Sequence, residues 1–125
     1  MSDEVTLGMK HEALQTYESG AKRSDRTGKG RFDLISPHGL RRLALRYEAG
    51  ALDKGERNWE KGFGLSRCID AAFRHLNQYN GGDRAEDHLA AVAWQCFAMM
   101  HFEEEVKAGR LTEEVLDVRV ISNEA

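Results

Sequence analysis

From residue 37 onward the chain alternates between stretches of helical hydrophobic period and breaks that carry glycine. Leu40, Leu43, Ala44, Tyr47 and Ala51 recur at i, i+3, i+4, i+7 and i+11, which predicts one apolar stripe on an α-helix. Ser36 supplies a capping oxygen, and Pro37 sits at the first helical position, where its missing N–H costs nothing. Gly55 predicts the exit, and residues 53–64 (DKGERNWEKGFG) read as a glycine-punctuated loop. Ser66 predicts the cap of a further helix whose stripe is Ile69, Ala72, Phe73, Leu76 and Tyr79, closed by Asn80-Gly81-Gly82. Asp83 followed three residues later by Glu86 resembles a capping box that opens the next helix. That helix is apolar on nearly every side from Leu89 to Phe102, which predicts a central buried element.

The two ends read differently. Residues 10–18 (KHEALQTYE) predict a short helix with a thin apolar face. Residues 1–30 form a basic arm, with Phe32, Leu34 and Ile35 expected to pin its end to the core. Beyond a break at Gly109, Thr112 opens a short helix in a peripheral tail, residues 105–125, able to dock on the bundle or on a neighbouring subunit. Neither an internal repeat nor a low-complexity segment is present. The expected fold is all-α: one domain over 1–125, a compact bundle of about four main helices with a basic N-terminal arm and a short C-terminal helix.

Composition narrows the function classes. The 125 residues carry 18 basic and 21 acidic side chains, a net charge of −3, which argues against duplex nucleic acid as the main partner. No apolar run approaches the ~20 residues of a membrane span. The opening MSDEVTLGMKHE lacks the basic region and apolar stretch of a signal peptide, so the expected location is cytoplasmic, the host cytoplasm if phage-encoded. Cys68 and Cys96 lie in apolar helical patterns without CxxC spacing, which predicts buried thiols rather than a disulfide or zinc site. There is no GxxxxGK[ST] or GxGxxG phosphate loop.

Among the polar residues, Asp70 and Arg74 read as an i,i+4 surface pair, and Asp83 with Glu86 as capping groups. His75, Asp87 and His88 are surplus to those structural roles. In an antiparallel bundle Glu48, His75, Asp87 and His88 can face one another, and carboxylates converging from neighbouring helices suit a hard divalent cation such as Mg²⁺. The basic, glycine-bearing arm suits phosphates, and Trp59 suits stacking on a base, although a tryptophan beside a loop is as often core.

The blocks GRFDLISPHGLRRLALRYEAGALDKGERNWEKG, DAAFRHL and GGDRAEDHLAAVAWQ, in that order, resemble a phage and prophage family, the dATP/dGTP diphosphohydrolase N-terminal domain. The family pattern runs through "GRFDLIP", "YxxGAxKY…NWxKG", "RHL…GxD" and "HLAHAxxN", and the match covers roughly residues 28 to 104. Its blocks fall on Asn58, Trp59, Lys61, Gly62, Asp70, Arg74, His75, Asp83, Asp87 and His88; Ala91, Gln95 and Lys54-Gly55 depart from it. The resemblance implies a helical enzyme that hydrolyses purine deoxynucleoside triphosphates to monophosphate and pyrophosphate, similar in logic to the MazG-like all-α pyrophosphohydrolases. On that reading Glu48, Asp83, Glu86 and Asp87 are the metal ligands, for Mg²⁺ (or Mn²⁺). His75, His88 and Asp87 are the catalytic set, and Arg31, Asn58, Trp59, Lys61 and Arg74 bind the nucleotide. The expected partners are a purine dNTP and further copies of the chain, with no duplex nucleic acid and no membrane. The alternative is a phage protein that binds and sequesters a nucleotide without turnover, which the departures at Ala91 and Gln95 favour.

Overall fold

The structure, a computed structural model, describes residues 13–122, which divide into two compact units at Ile35 and Ser36. In the first unit, β1 (Leu14–Thr16) and β2 (Lys22–Ser24) pair antiparallel, with Gln15 opposite Arg23. The expected helix over 10–18 is thereby corrected to a strand where it is described; residues 10–12 lie outside the described range. The local reason is the turn. Gly20 takes φ 92 and donates its N–H to the Tyr17 carbonyl at 2.8 Å, which reverses the chain before a helical turn can form. Phe32–Leu34 form a single 3₁₀ turn. Phe32 and Leu34 are 80% and 71% exposed.

The second unit holds three α-helices rather than about four: α1 (Pro37–Lys54), α2 (Leu65–Asn80) and α3 (His88–Lys107). The Ser36 hydroxyl accepts from the Gly39 N–H at 3.1 Å, as the Ser-Pro start predicts, and Gly55 closes α1. The loop before α2 contains a 3₁₀ turn, Asn58–Lys61, and a second such turn, Glu113–Val115, stands where the short C-terminal helix was expected. The described residues are therefore predominantly helical with one small sheet. Among the described residues no helix is long and apolar enough to cross a membrane.

Two caps differ from expectation. Ser66 does not cap α2. The N-cap is Gly64, and Ser66 instead gives its N–H and hydroxyl to the two Asp117 carboxylate oxygens at 2.9 and 2.6 Å. Asp117 thus satisfies an α2 donor that would otherwise be orphaned, and its negative charge sits at the positive end of the helix. Asp83 does not open α3. It accepts from the Ala85 N–H at 2.8 Å in a local turn, while Asp87 caps α3 through the Ala90 N–H at 3.0 Å.

The core is Leu65, Cys68, Ala98, Phe102 and Val115, with Trp59, Trp94, Met99, Val106, Leu111 and Val118 packed on it. The buried face of α2 is therefore Leu65 and Cys68, not the predicted Phe73 and Leu76, which are 70% and 46% exposed. α3 is buried on one side: Ala90, Ala91, Ala98 and Phe102 are covered, whereas Phe97 and Met100 remain open. Cys68 is a buried free thiol that burial pushes up to about 11, while Cys96 is exposed, against expectation.

Candidate functional site

The turn between α2 and α3 is fastened by its own side chains. The Arg84 guanidinium lies 3.9 Å over the Tyr79 ring and donates to the Tyr79 carbonyl at 2.8 Å. The next two acids both reach back to α1. Asp87 receives a two-pronged bond from Arg42, Nε to Oδ2 at 2.7 Å and Nη2 to Oδ1 at 2.6 Å. Glu86 accepts from Arg46 at 3.0 Å. Arg42 holds the Asp87 carboxyl down at about 2, helped by the Ala90 N–H and opposed by partial burial. Arg46 lowers Glu86 in the same way.

Behind these pairs, His75 on α2 meets His88, the first residue of α3, with their Nδ1 atoms 2.9 Å apart. One of the two nitrogens must carry the shared proton and the other accept it. His88 is 1% exposed. Its Nε2 lies 3.2 Å from Asp83 Oδ2 but is not aligned as a hydrogen bond and has no other partner. Asp83 is held below the ordinary carboxylate range by the Ala85 N–H first and by His88 next. Burial lowers His75, keeping it neutral at neutral pH.

Arg46 also lines a concavity. A cleft of about 780 Å³ is walled by Tyr47, Trp59, Phe63 and Trp94 and edged by Asn58 and Gln95. The Tyr47, Trp59 and Trp94 rings form a triangle with centroids 5.8 to 6.0 Å apart. Trp59 also packs on Phe102, so it serves the core and the cleft at once. Around the rim stand Lys54, bound to Asp53, and Arg57, bound to Glu60. Arg57 has φ 60, the single positive-φ non-glycine residue among those described, so backbone strain is held at the rim. Arg46 belongs to both places: it lines the cleft and bonds Glu86 beside the imidazoles.

The residues singled out from the sequence separate into groups. Asn58 and Trp59 line the aromatic cleft; Lys61 and Arg74 do not, and Arg74 pairs with Asp70 on α2 at 2.7 Å. Arg31 lies in the first unit, in a bidentate pair with Asp33. Glu48 is exposed on α1. Among the described residues the one group of side chains with metal-ligand spacing is His75, Glu86 and His88, whose ligand atoms all lie within 4.8 Å of one another. The four expected carboxylates do not form an oxygen cage. Asp87 and Glu86 are held by arginines, Asp83 by the turn and His88, and Glu48 stands outside the group. The donor set that does converge is nitrogen-rich and does not fit Mg²⁺, which takes oxygen ligands.

Arg42, Arg46, Tyr47, Trp94 and Asp117 were not anticipated. A signal existed for two of them. Arg42 and Arg46 are four apart on α1, the cation spacing needed to meet two acids on a neighbouring turn.

These features define a small helical protein with an aromatic, cation-rimmed cleft adjoining an imidazole–carboxylate cluster. The family model described as dATP/dGTP diphosphohydrolase, N-terminal, matches residues 19–110, and the chain belongs to that family. No curated protein and no solved structure matches the chain.

Proposed function

We propose that the protein hydrolyses purine deoxynucleoside triphosphates to the monophosphate and pyrophosphate. The observation that carries this is Arg46, which joins a cleft built for a base to a cluster built for proton or charge transfer. The family's description as a dATP/dGTP diphosphohydrolase supports the same reading. The cleft volume falls in the range of small-molecule sites, and its walls are aromatic with few polar groups. A purine stacks against Tyr47, Trp59 and Trp94, while the side-chain amides of Asn58 and Gln95 offer donors and acceptors to its edge. Lys54, Arg57 and Arg46 exchange their present carboxylate partners for phosphate oxygens. Water then attacks the α-phosphorus, the bond to the β-phosphate bridging oxygen breaks, and pyrophosphate leaves. His75, neutral at pH 7, and Glu86 are the groups on that side able to receive the water's proton.

We further propose a homo-oligomer. Phe73 and Leu76 of α2 and Phe97 and Met100 of α3 leave apolar surface that a second copy covers by helix-on-helix packing.

The decisive experiment incubates the full chain with each dNTP and a divalent ion and quantifies pyrophosphate and monophosphate. Trp59 and Trp94 report binding by fluorescence quenching. Pyrophosphate from purine dNTPs in preference to pyrimidine dNTPs supports the proposal. Saturable quenching without product refutes hydrolysis and leaves a nucleotide-sequestering protein. Neither signal refutes both.

A further inference from the structure

We propose that His75, His88 and Glu86 form a binding site for a nitrogen-accepting divalent transition ion of the Zn²⁺ or Co²⁺ type. Three observations carry it.

The first is donor chemistry. Two imidazoles and one carboxylate match first-row ions from cobalt to zinc, whereas Mg²⁺ and Ca²⁺ take oxygens. The second is spacing. With bonds of ~2.1 Å to a metal, nitrogen ligands lie about 3.0 Å apart at right angles and about 3.4 Å apart in a tetrahedron. The two Nδ1 atoms stand 2.9 Å apart, and a carboxylate oxygen completes the group within 4.8 Å. Accepting an ion requires the imidazoles to part by only a few tenths of an ångström. Glu86 keeps Arg46 on Oε2 and still has a second oxygen to offer.

The third is the arrangement around His88. Asp83 Oδ2 lies 3.2 Å from Nε2, so the carboxylate favours the proton on that nitrogen and leaves the Nδ1 lone pair facing His75. A carboxylate behind the far nitrogen of a histidine is the usual second layer of a metal site, because it sets the tautomer and raises the basicity of the near nitrogen. It also accounts for burying an imidazole to 1% exposure with Nε2 lacking an aligned partner. Polarising His88 at Nδ1 strengthens the attraction between the Nε2 proton and Asp83.

The three ligands stand on rigid backbone. His75 is mid-α2, His88 is the first residue of α3, and Glu86 lies in the turn fastened by Arg84 and Tyr79. A divalent ion here would supply Lewis-acid polarisation and a more acidic bound water beside the aromatic cleft, so that with the ion bound His75 and Glu86 would act as its ligands rather than as the proton acceptors. The inference deepens the hydrolase reading, but its test involves no nucleotide, so the two fail separately.

The test titrates the chelator-treated full chain with Co²⁺, following visible absorption, and then displaces it with Zn²⁺ by calorimetry. One equivalent of Co²⁺ is expected, with bands of nitrogen and oxygen ligation and displacement by Zn²⁺ but not by a large excess of Mg²⁺. His75→Ala and Glu86→Gln change positions that are not fully buried, and each should weaken Zn²⁺ binding at least ~10-fold while far-UV circular dichroism stays unchanged. Asp83→Asn should weaken it ~10-fold through the tautomer of His88. Three results overturn the proposal: a folded chain that gives no Co²⁺ spectrum, wild-type affinity in both His75→Ala and Glu86→Gln, or a thiolate charge-transfer band abolished by Cys96→Ser.

Discussion

Asp87 tests most directly whether the acids at the α2–α3 junction are ligands or supports. In the structure it has two tasks: its Oδ1 accepts the Ala90 N–H at 3.0 Å, capping α3, and both its oxygens hold Arg42 of α1. Two substitutions separate these tasks. Asparagine caps helices about as well as aspartate, so Asp87→Asn removes the charge pair and retains the cap. Its side chain is 35% exposed, so solvent screening keeps the cost of that change to ~0.5–1 kcal/mol. Asp87→Ala loses the cap as well, a further ~1 kcal/mol. For a domain of this size each kcal/mol moves the midpoint by about 4 °C. Thermal unfolding should therefore show a fall of about 2–4 °C for asparagine and about 6–8 °C for alanine. The asparagine penalty should shrink in high salt, since it is electrostatic. Zn²⁺ affinity of Asp87→Asn should stay within about threefold of wild type, because Asp87 lies outside the ligand group. Equal losses in the two variants would refute the capping argument, and a 100-fold loss of Zn²⁺ affinity in Asp87→Asn would make Asp87 a ligand.

Three further outcomes follow from other contacts. Asp117 is held below the ordinary carboxylate range by the Ser66 hydroxyl and N–H, so its stabilisation is present above pH ~4 and lost as pH falls through its folded-state value. Unfolding free energy measured from pH 5 to pH 2 should accordingly fall less steeply in Asp117→Asn than in wild type, and parallel curves would count against the contact. A Cβ at Gly64 would run into the Asp117 carboxylate, so Gly64→Ala should destabilise, and adding Asp117→Ala should cost less than the two single changes summed; strict additivity in a double-mutant cycle would show the two sites to be independent. Gln95→Ala, at the edge of the cleft, should weaken purine dNTP binding about 5-fold in tryptophan quenching, the effect of one lost hydrogen bond, and leave thermal stability within a degree or two; unchanged affinity would move the base elsewhere.

Much of the site's composition was legible from residue order, because local signals mark it. Ser36-Pro37 and Gly55 bounded α1, and the family blocks selected Asn58, Trp59, His75 and His88, all of which lie in the cleft or the imidazole cluster. What each acid does was not legible. Asp83-x-x-Glu86 and Asp87 are both acceptable caps by propensity, and the decision rested on Arg42 and Arg46, more than thirty residues upstream, drawing Asp87 and Glu86 toward α1. Ser66 was likewise a good cap by type, but a carboxylate from the C-terminal segment reached the helix end instead.

The sequence by itself determined the helical second unit, its boundaries to within a few residues, and the family. Those follow from hydrophobic period, capping chemistry and the order of short motifs, all of which are local properties of the chain. Tertiary structure alone decided which apolar faces are covered, leaving Phe73, Leu76 and Cys96 open, since period shows that a stripe exists but not which neighbour meets it. It also decided the donor set of the cluster. Carboxylates are common at any helix junction and are readily taken by arginines, so the group left converging was two imidazoles and Glu86, a nitrogen-rich pairing that no spacing in the chain announces.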